Sequence, residues 1–384
     1  MHTLLQKDAY RLIRSMLVEF RSSLQARLPK SDYAIPLHLE ADLGLDSLDL
    51  VQTGTVLMHM FHLIDQGPPV YLPRKLYLDQ WVAACTSPLN SRISFLSSGS
   101  QGKPQFHVHQ WRDLMWEAAY WAQKWPHTQR IINWVPVHHI YGFMFGILLP
   151  RTLGIPVIDM APGCLPDDIQ AEDLVIGMPL GWNILKNSRY LYKTPWMGIS
   201  STAPLSLNCK QALLKSGIEL HEIFGSTETA GLGWRGPNMP AYVLLPPWTQ
   251  AEGQLIHPHL GEIACPDHLV WEDSIHFTPK GRVDRLVQIA GHNVSLQKVT
   301  SIIELHPHIQ QCKVRINHQQ IPSRLKALLV PTQDAPPLHI LEQEIRYWFQ
   351  THLRPPERPD HLTFTASLPV SALGKVRDWA PIYP

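Results

Sequence analysis

The chain has 384 residues, 45% of them apolar, which is enough to bury at least one large core and to divide into two or three domains. Lysine plus arginine (33) nearly cancels aspartate plus glutamate (32), and charged residues make up only 17%, so no strong overall field draws the chain to nucleic acid. Five widely spaced cysteines, odd in number and without a Cys-x-x-Cys pair, argue against a disulfide framework or a zinc knuckle and fit a reducing cytoplasm.

The first twenty residues carry Lys7, Asp8, Arg11, Arg14 and Glu19 among their apolar positions, so they hold no signal-peptide core, and no run approaches the roughly 20 apolar residues that cross a bilayer. Residues 4–25 place Leu5, Leu12, Ile13, Met16, Leu17, Phe20 and Leu24 at helical spacing, which predicts an amphipathic helix. After a turn at PKSDYAIPLH, a second helix is expected from about Ser47, with Asp46 as its N-cap and Leu48, Val51, Leu57, Met60 and Phe61 recurring along it. A serine in a first helical turn is common; flanked by Asp46 and Asp49, Ser47 is also within reach of another protein. The stretch KLYLDQWVAACTS reads as the last helix of a small bundle.

The next stretch, FLSSGSQGKP at 95–104, spaces Gly99 and Gly102 too closely for the Gly-x-x-x-x-Gly-Lys loop of common NTPases and lacks the Gly-x-Ser-x-Gly elbow of serine hydrolases. It remains either a plain turn or a loop whose N–H and hydroxyl donors wrap an anionic oxygen. The 34 prolines fall in short clusters such as GPPVYLP, LLPPW and RPPERP that punctuate a compact chain. The 21 histidines include HVH, HH and two HPH groups; without a second ligand pair at metal spacing they read as polar surface.

Two resemblances organise these pieces. DLGLDSLDLV, with MFHL downstream, resembles acyl and peptidyl carrier proteins over residues 1–86, although Leu-Met-His-Met stands where that family continues with acidic residues. The resemblance implies a four-helix bundle, 4'-phosphopantetheine on Ser47, and a phosphopantetheinyl transferase as partner. SSGSQGKPQ, VPVHHIYGF, SSTAPLS, IFGSTETAG, GRVDRLVQIAGHNVSLQKV and PVSALGKVR, in this order, resemble the adenylate-forming superfamily of acyl- and aryl-CoA ligases, peptide-synthetase adenylation domains and luciferases. STETAGLGWR is similar to ligases of aryl-polyene and related pigment or lipid pathways.

The second resemblance implies a multi-domain α/β fold, with a shortened adenylating core at 87–283 and a small, mobile α+β domain at 284–384. It implies ATP and Mg2+ as well. Ser97, Ser98, Gly99, Ser100, Gln101 and Gly102 would cradle the β- and γ-phosphates; Phe224, Gly225 and Ser226 would border the nucleotide, Thr227 the α-phosphate, and Glu228 would hold Mg2+. Asp267, fourteen residues before Gly281, would bind the ribose, with Arg282 near it, Asp284 at the hinge, and Lys375 as the mobile lysine of the adenylation step. His139 would border the carboxylate being activated, and Trp182, Ile199, Ser201, Ala203 and Gly231 would line an acyl pocket. Gln105 and Gln288 stand where the family has lysine, with Lys103 a neighbouring charge, and only about ten residues separate the carrier-like bundle from the phosphate loop.

The expected reaction joins a carboxylic acid, aromatic or medium-chain, to AMP and passes the acyl group to a phosphopantetheine thiol on Ser47 of the same chain, the first alternative being coenzyme A or a separate carrier protein as acceptor. A degenerate module that binds a carrier or acyl-adenylate without making one is the alternative of another class.

Overall fold

The computed structural model describes residues 4–29, 36–65, 70–86, 91–97, 105–187, 195–263, 265, 267–282, 286–289, 292–317, 324–370 and 376–380. The chain forms two compact units, Met1–Leu245 and Pro246–Pro384. The expected boundaries at 86/87 and 283/284 are not where the contacts divide it.

In the first unit, α1 (Gln6–Phe20) buries Ala9, Leu12, Ile13, Met16 and Leu17, the stripe that the periodicity predicts. A 3₁₀ turn comes next, then α2 (Ser47–Met60). Its capping box is complete: Asp46 accepts from the Leu48 and Asp49 N–H groups, each at 2.9 Å, and Asp49 accepts the Asp46 N–H at 3.1 Å. α3 (Leu78–Thr86) buries Trp81, whose indole N–H reaches the Leu72 and Lys75 carbonyls. Among the described residues, the N-terminal segment thus holds three α-helices and two 3₁₀ turns, in the same compact unit as residues 87–245.

β1 (Arg92–Leu96) and β2 (Phe106–Gln110) form an antiparallel hairpin, and α4 (Trp111–Lys124) continues directly from β2. A parallel sheet comes next: β3 (Arg130–Asn133), then α5 (Ile140–Phe143) running through a π-helical turn at Met144–Leu148 into α6 (Leu149–Leu153), β4 (Val157–Asp159), β5 (Asp173–Gly177), α7 (Pro179–Lys186), β6 (Trp196–Ser200), α8 (Leu207–Lys215) and β7 (Ile218–Ser226). β8 (Ala230–Arg235) returns antiparallel to β7, and β9 (Tyr242–Leu244) pairs with β8. Within this unit the strand order is β4-β3-β5-β6-β7-β8-β9. β5 is buried at all five positions, as a central parallel strand covered on both faces must be.

The second unit carries a three-stranded meander of β10 (Thr249–Ala251), β11 (Gln254–His257) and β12 (Gly261–Ile263), then two hairpins, β13 (Asp267–Trp271) with β14 (His276–Arg282) and β15 (Leu286–Ile289) with β16 (His292–Ser295). It ends in α9 (Leu296–Ile303), β17 (Ile309–Asn317), β18 (Arg324–Pro331), α10 (Leu338–His352) and β19 (Pro359–Phe364). β18 lies between antiparallel β17 and parallel β19, and Val299, Ile303, Leu341, Ile345 and Phe349 of the two helices share one core with that sheet. The sheet and its two helices give this part an α+β arrangement. Among the described residues no helix is long and apolar enough to cross a membrane.

The polar side of α1 is bound to the sheet region. Arg11 forms a two-pronged pair with Asp159 at the end of β4 (2.6 and 2.8 Å) and donates a third bond to the Gly146 carbonyl in the π-helical turn at 2.7 Å. The guanidinium fork matches a carboxylate edge, which a lysine ammonium cannot. Because Asp159 is partly exposed, the pair is worth about 1–2 kcal/mol. Arg11→Ala should therefore lower the melting temperature by roughly 3–6 °C in a thermal-unfolding scan, and Arg11→Lys should recover less than half of the loss.

Candidate functional site

The sheet indicates where chemistry belongs. β4 and β5 lie on opposite sides of β3 while all three run parallel, so the chain reverses direction of assembly beside β3 and leaves a crevice at the carboxyl ends of the strands. Three of the motif stretches sit at such ends: VPVHHIYGF after β3, SSTAPLS after β6, and the STE turn after β7.

The STE turn is built tightly. Ser226 and Thr229 exchange bonds across it, from the Ser226 N–H to Thr229 Oγ1 (3.1 Å) and from the Thr229 N–H to Ser226 Oγ (3.2 Å). Ala230 closes it at φ +57°, in the left-handed region that disfavours a side chain. Gly225 pairs with Gly231, and a Cβ on Gly225 would lie 2.1 Å from the Ala230 carbonyl oxygen, so only glycine fits. Phe224, one residue earlier, packs at 5.5 Å on Tyr242.

The β1–β2 hairpin meets this turn through β2. Ser97 closes the base of its loop, donating its N–H to the Gln105 carbonyl (2.8 Å) and accepting the Gln105 N–H at Oγ (3.3 Å). On β2, buried His109 donates Nε2–H to the Thr227 carbonyl at 2.7 Å, and His107, two residues back, places Nε2 3.9 Å from a Glu228 oxygen. Burial lowers the His109 pKa, although the Thr227 bond opposes it. A carbonyl only accepts, so His109 holds its proton on Nε2. Ser98, Gly99, Ser100, Gln101, Gly102 and Lys103 lie outside the described residues.

Behind the turn, α4 presents Glu117, only 7% exposed, between two donors: the Trp121 indole (3.1 Å) and the Gly231 N–H (3.1 Å). A Cβ on Gly231 would meet this carboxyl at 2.3 Å. His139 caps α5, and its Nε2 lies 3.3 Å from Glu19 on α1; the ring packs on His138 with centroids 4.2 Å apart. His138 also meets Glu19, at 3.2 Å. The HVH and HH groups, expected as polar surface, thus include buried neutral imidazoles with assigned partners.

The expected acyl-pocket set divides. Trp182 is fully buried in a core with Trp134, Trp196 and Leu220, and a Cβ on Gly198 would strike its ring. Side chains alternate along a strand, so Ile199 faces away from Trp182 across the sheet. Trp182 therefore packs the α7–α8 side, whereas Ser201 bonds the Ile223 carbonyl at 2.8 Å, Ala203 is exposed beyond β6, and Gly231 lies over Glu117. Tyr141 ties α5 to the strand ends through the Gly177 (3.0 Å) and Ile199 (3.3 Å) carbonyls.

In the second unit, Asp267 and Arg282 are register partners across the β13–β14 hairpin, and Gln288 lies on β15 opposite Asn293. Asp284 and Lys375 lie outside the described residues, and Val370 and Val376 form an antiparallel bridge around the segment that holds Lys375. Ser47 is exposed at the start of α2, beside Leu48 (72% exposed) and Val51 (44%).

Sequence reasoning missed His109, Glu117, Ser15 and Glu19. Each left a trace. Glu117 interrupts the apolar stripe Leu114, Ala118, Trp121 of α4, and Ser15 and Glu19 are four apart on the polar side of α1.

A parallel sheet with an STE turn and a histidine pair at its carboxyl ends places the candidate site at the switch point of an α/β fold. Residues 80–252 match the family model described as AMP-binding enzyme. The chain is 36% identical over 342 residues to 4-coumarate–CoA ligase of Halorhodospira halophila, covering 86% of this chain and 87% of that protein. It is 30% identical over 397 residues to the 4-coumarate–CoA ligase of Cereibacter sphaeroides, covering 98% and 94%. ATP-bound MatB from Rhodopseudomonas palustris superposes with a TM-score of 0.60 at 17% identity, over 79% of this chain and 72% of that one. The chain belongs to the adenylate-forming, AMP-binding enzyme family and is an AMP-forming acid–thiol ligase. The Cereibacter match spans 98% of the chain and so takes in most of residues 1–86.

Burial pushes the Glu117 carboxyl up to about 7, against the Trp121 and Gly231 bonds that lower it. The unfolded chain titrates near ~4.3, so the folded protein holds the extra proton between the two values, and stability falls as pH rises from about 4.3 to 7. Glu117→Gln removes this dependence. In urea unfolding at a series of pH values, the variant should gain on the wild type by up to about 3 kcal/mol between pH 5 and pH 8; parallel curves would exclude a buried titrating carboxyl.

Proposed function

We propose that the protein makes the coenzyme A thioester of an aromatic, hydroxycinnamate-type acid by way of an acyl-adenylate. The observation that carries this reading is the near-full-length likeness to ligases named for 4-coumarate and coenzyme A. A carboxylate oxygen attacks the α-phosphorus of ATP, the bond to pyrophosphate breaks, and the thiol sulfur then attacks the acyl carbon, losing its proton as AMP departs. Both steps bring anions together, so the residues serve by neutralising charge and fixing alignment.

In this scheme the turn from Ser97 to Gly102 wraps the β- and γ-phosphates, Thr227 meets the α-phosphate, and Phe224, Gly225 and Ser226 border the nucleotide. Glu228, a partly exposed carboxylate at the turn, offers the hard oxygen that Mg2+ takes, and Mg2+ would supply charge neutralisation on the triphosphate. Asp267 and Arg282 serve the ribose side, Lys375 the adenylation step, and Asp284 the hinge between half-reactions. His139 borders the acid, with Ile199, Ser201, Ala203 and Gly231 around it and Trp182 supporting from the core.

A second acceptor has one observation in its favour. Ser47 opens a fully capped helix with its hydroxyl exposed beside exposed Leu48 and Val51, a surface that a phosphopantetheinyl transferase or a partner synthase could grip. A 4'-phosphopantetheine arm there would raise the local thiol concentration.

Acid-dependent exchange of labelled pyrophosphate into ATP, run over aromatic and medium-chain acids, should be strongest with hydroxycinnamates, and added coenzyme A should yield the thioester. Absence of exchange with every acid would refute the reading. Glu228→Gln should reduce exchange at least about a hundredfold, the scale of losing one positioned electrostatic group. For the second acceptor, intact mass after incubation with a phosphopantetheinyl transferase should rise by one arm in the wild type and not in Ser47→Ala; an unchanged wild-type mass removes Ser47 as acceptor.

A further inference from the structure

We propose that Glu19 of α1 is a positioning residue of the acid site, holding His138 and His139 from the N-terminal helix through one carboxylate oxygen. The proposal rests on the proposed function in one respect, the placement of His139 beside the acid.

The bonds assign every proton. Glu19 Oε2 lies 3.2 Å from His138 Nε2 and 3.3 Å from His139 Nε2, and a carboxylate oxygen accepts, so both rings carry hydrogen on Nε2. His138 Nδ1 is then an acceptor, and Ser15 Oγ stands 2.9 Å away to donate. The Ser15 oxygen in turn receives the Val137 N–H at 3.2 Å. Backbone, serine, imidazole and carboxylate thus form one directed chain that ends at Glu19, where His139 joins it.

The electrostatics agree with this order. Burial and the neighbouring His139 push the His138 pKa down to about 4, so near neutrality it is a fixed neutral donor. Burial alone would raise the Glu19 pKa; the bonds from His138 and His139 outweigh it and keep the carboxylate ionised. Ser15 and Glu19 are one helical turn apart on α1, and Arg11, one turn further back, locks the same face to Asp159. The N-terminal helix therefore contributes side chains to the site, and its position is set by three side chains, Arg11, Ser15 and Glu19.

Glu19→Gln keeps the size and an acceptor oxygen but removes the negative charge that both Nε2–H groups share, so each ionic hydrogen bond becomes a neutral one. In pyrophosphate exchange this variant should raise KM for the acid about tenfold and KM for ATP less than twofold, the scale of one lost ionic hydrogen bond. Because Glu19 acts through His139, Glu19→Gln combined with His139→Ala should be no worse in acid KM than His139→Ala alone. Additive effects, or an unchanged acid KM, overturn the proposal. Nitrogen-15 spectra of the histidine rings test it without turnover: both rings should be Nε2–H in the wild type and lose that order in Glu19→Leu, which offers no acceptor. If the wild type shows no exchange with any acid, the functional reading fails, and the ring spectra still decide whether Glu19 sets the tautomers. A stoichiometric divalent ion that copurifies with the wild type and is absent from Glu19→Gln would also overturn it, with metal bonds in place of the hydrogen bonds.

Discussion

The hydrogen bond from His109 on β2 to the Thr227 carbonyl joins the first hairpin to the STE turn, 118 positions apart in the chain. It is the contact that fixes the end of β7 against β2. The bond requires β2 to run alongside the end of β7, and burial favours the neutral imidazole, since a charged ring there would carry a desolvation cost. Phe95, edge-on to His109 at 5.9 Å, supplies the apolar wall that keeps the ring buried and neutral.

The STE turn is held from three directions. His109 fixes its carbonyl, Ser226 and Thr229 fix its own backbone, and Glu117 takes the Gly231 N–H where β8 begins. Over-determination of this kind allows Ala230 to stay in a left-handed conformation that costs of order 1 kcal/mol or more. A turn locked before substrate arrives needs no reorganisation during the reaction, which is what electrostatic preorganisation demands. The same locking explains the glycines, since a side chain at 225 or 231 would displace a carbonyl or the Glu117 carboxyl.

Much of this was legible in the residues. The periodicity of α1, the Asp46 cap of α2 and the family likeness of six ordered stretches lead to the fold and to the STE turn. Other features were hidden because they depend on which face of an element meets which neighbour. Trp182 looks like a pocket residue when the motifs are read in a row, but strand alternation puts it and Ile199 on opposite faces. Glu117 and His109 have ordinary sequence surroundings; only the closure of β2 and β8 around them makes their polar atoms matter. The polar face of α1 reads as solvated surface, and becomes an interior surface through Arg11, Ser15 and Glu19, whose partners lie more than a hundred residues away.

The anchoring of α1 bears on how an acyl group would be handed on. A carrier that delivers by swinging as a body needs a slack tether and a weak interface. Here α1 is bound to the sheet by Arg11, Ser15 and Glu19, and α2 is tied to α1 by the pair between Arg21 and Asp49 at 2.8 Å. An arm on Ser47 would then have to span the distance by its own length, while the helices stay in place. The network that holds α1 in place would thus restrain it as a carrier, a constraint that a diffusible thiol does not meet.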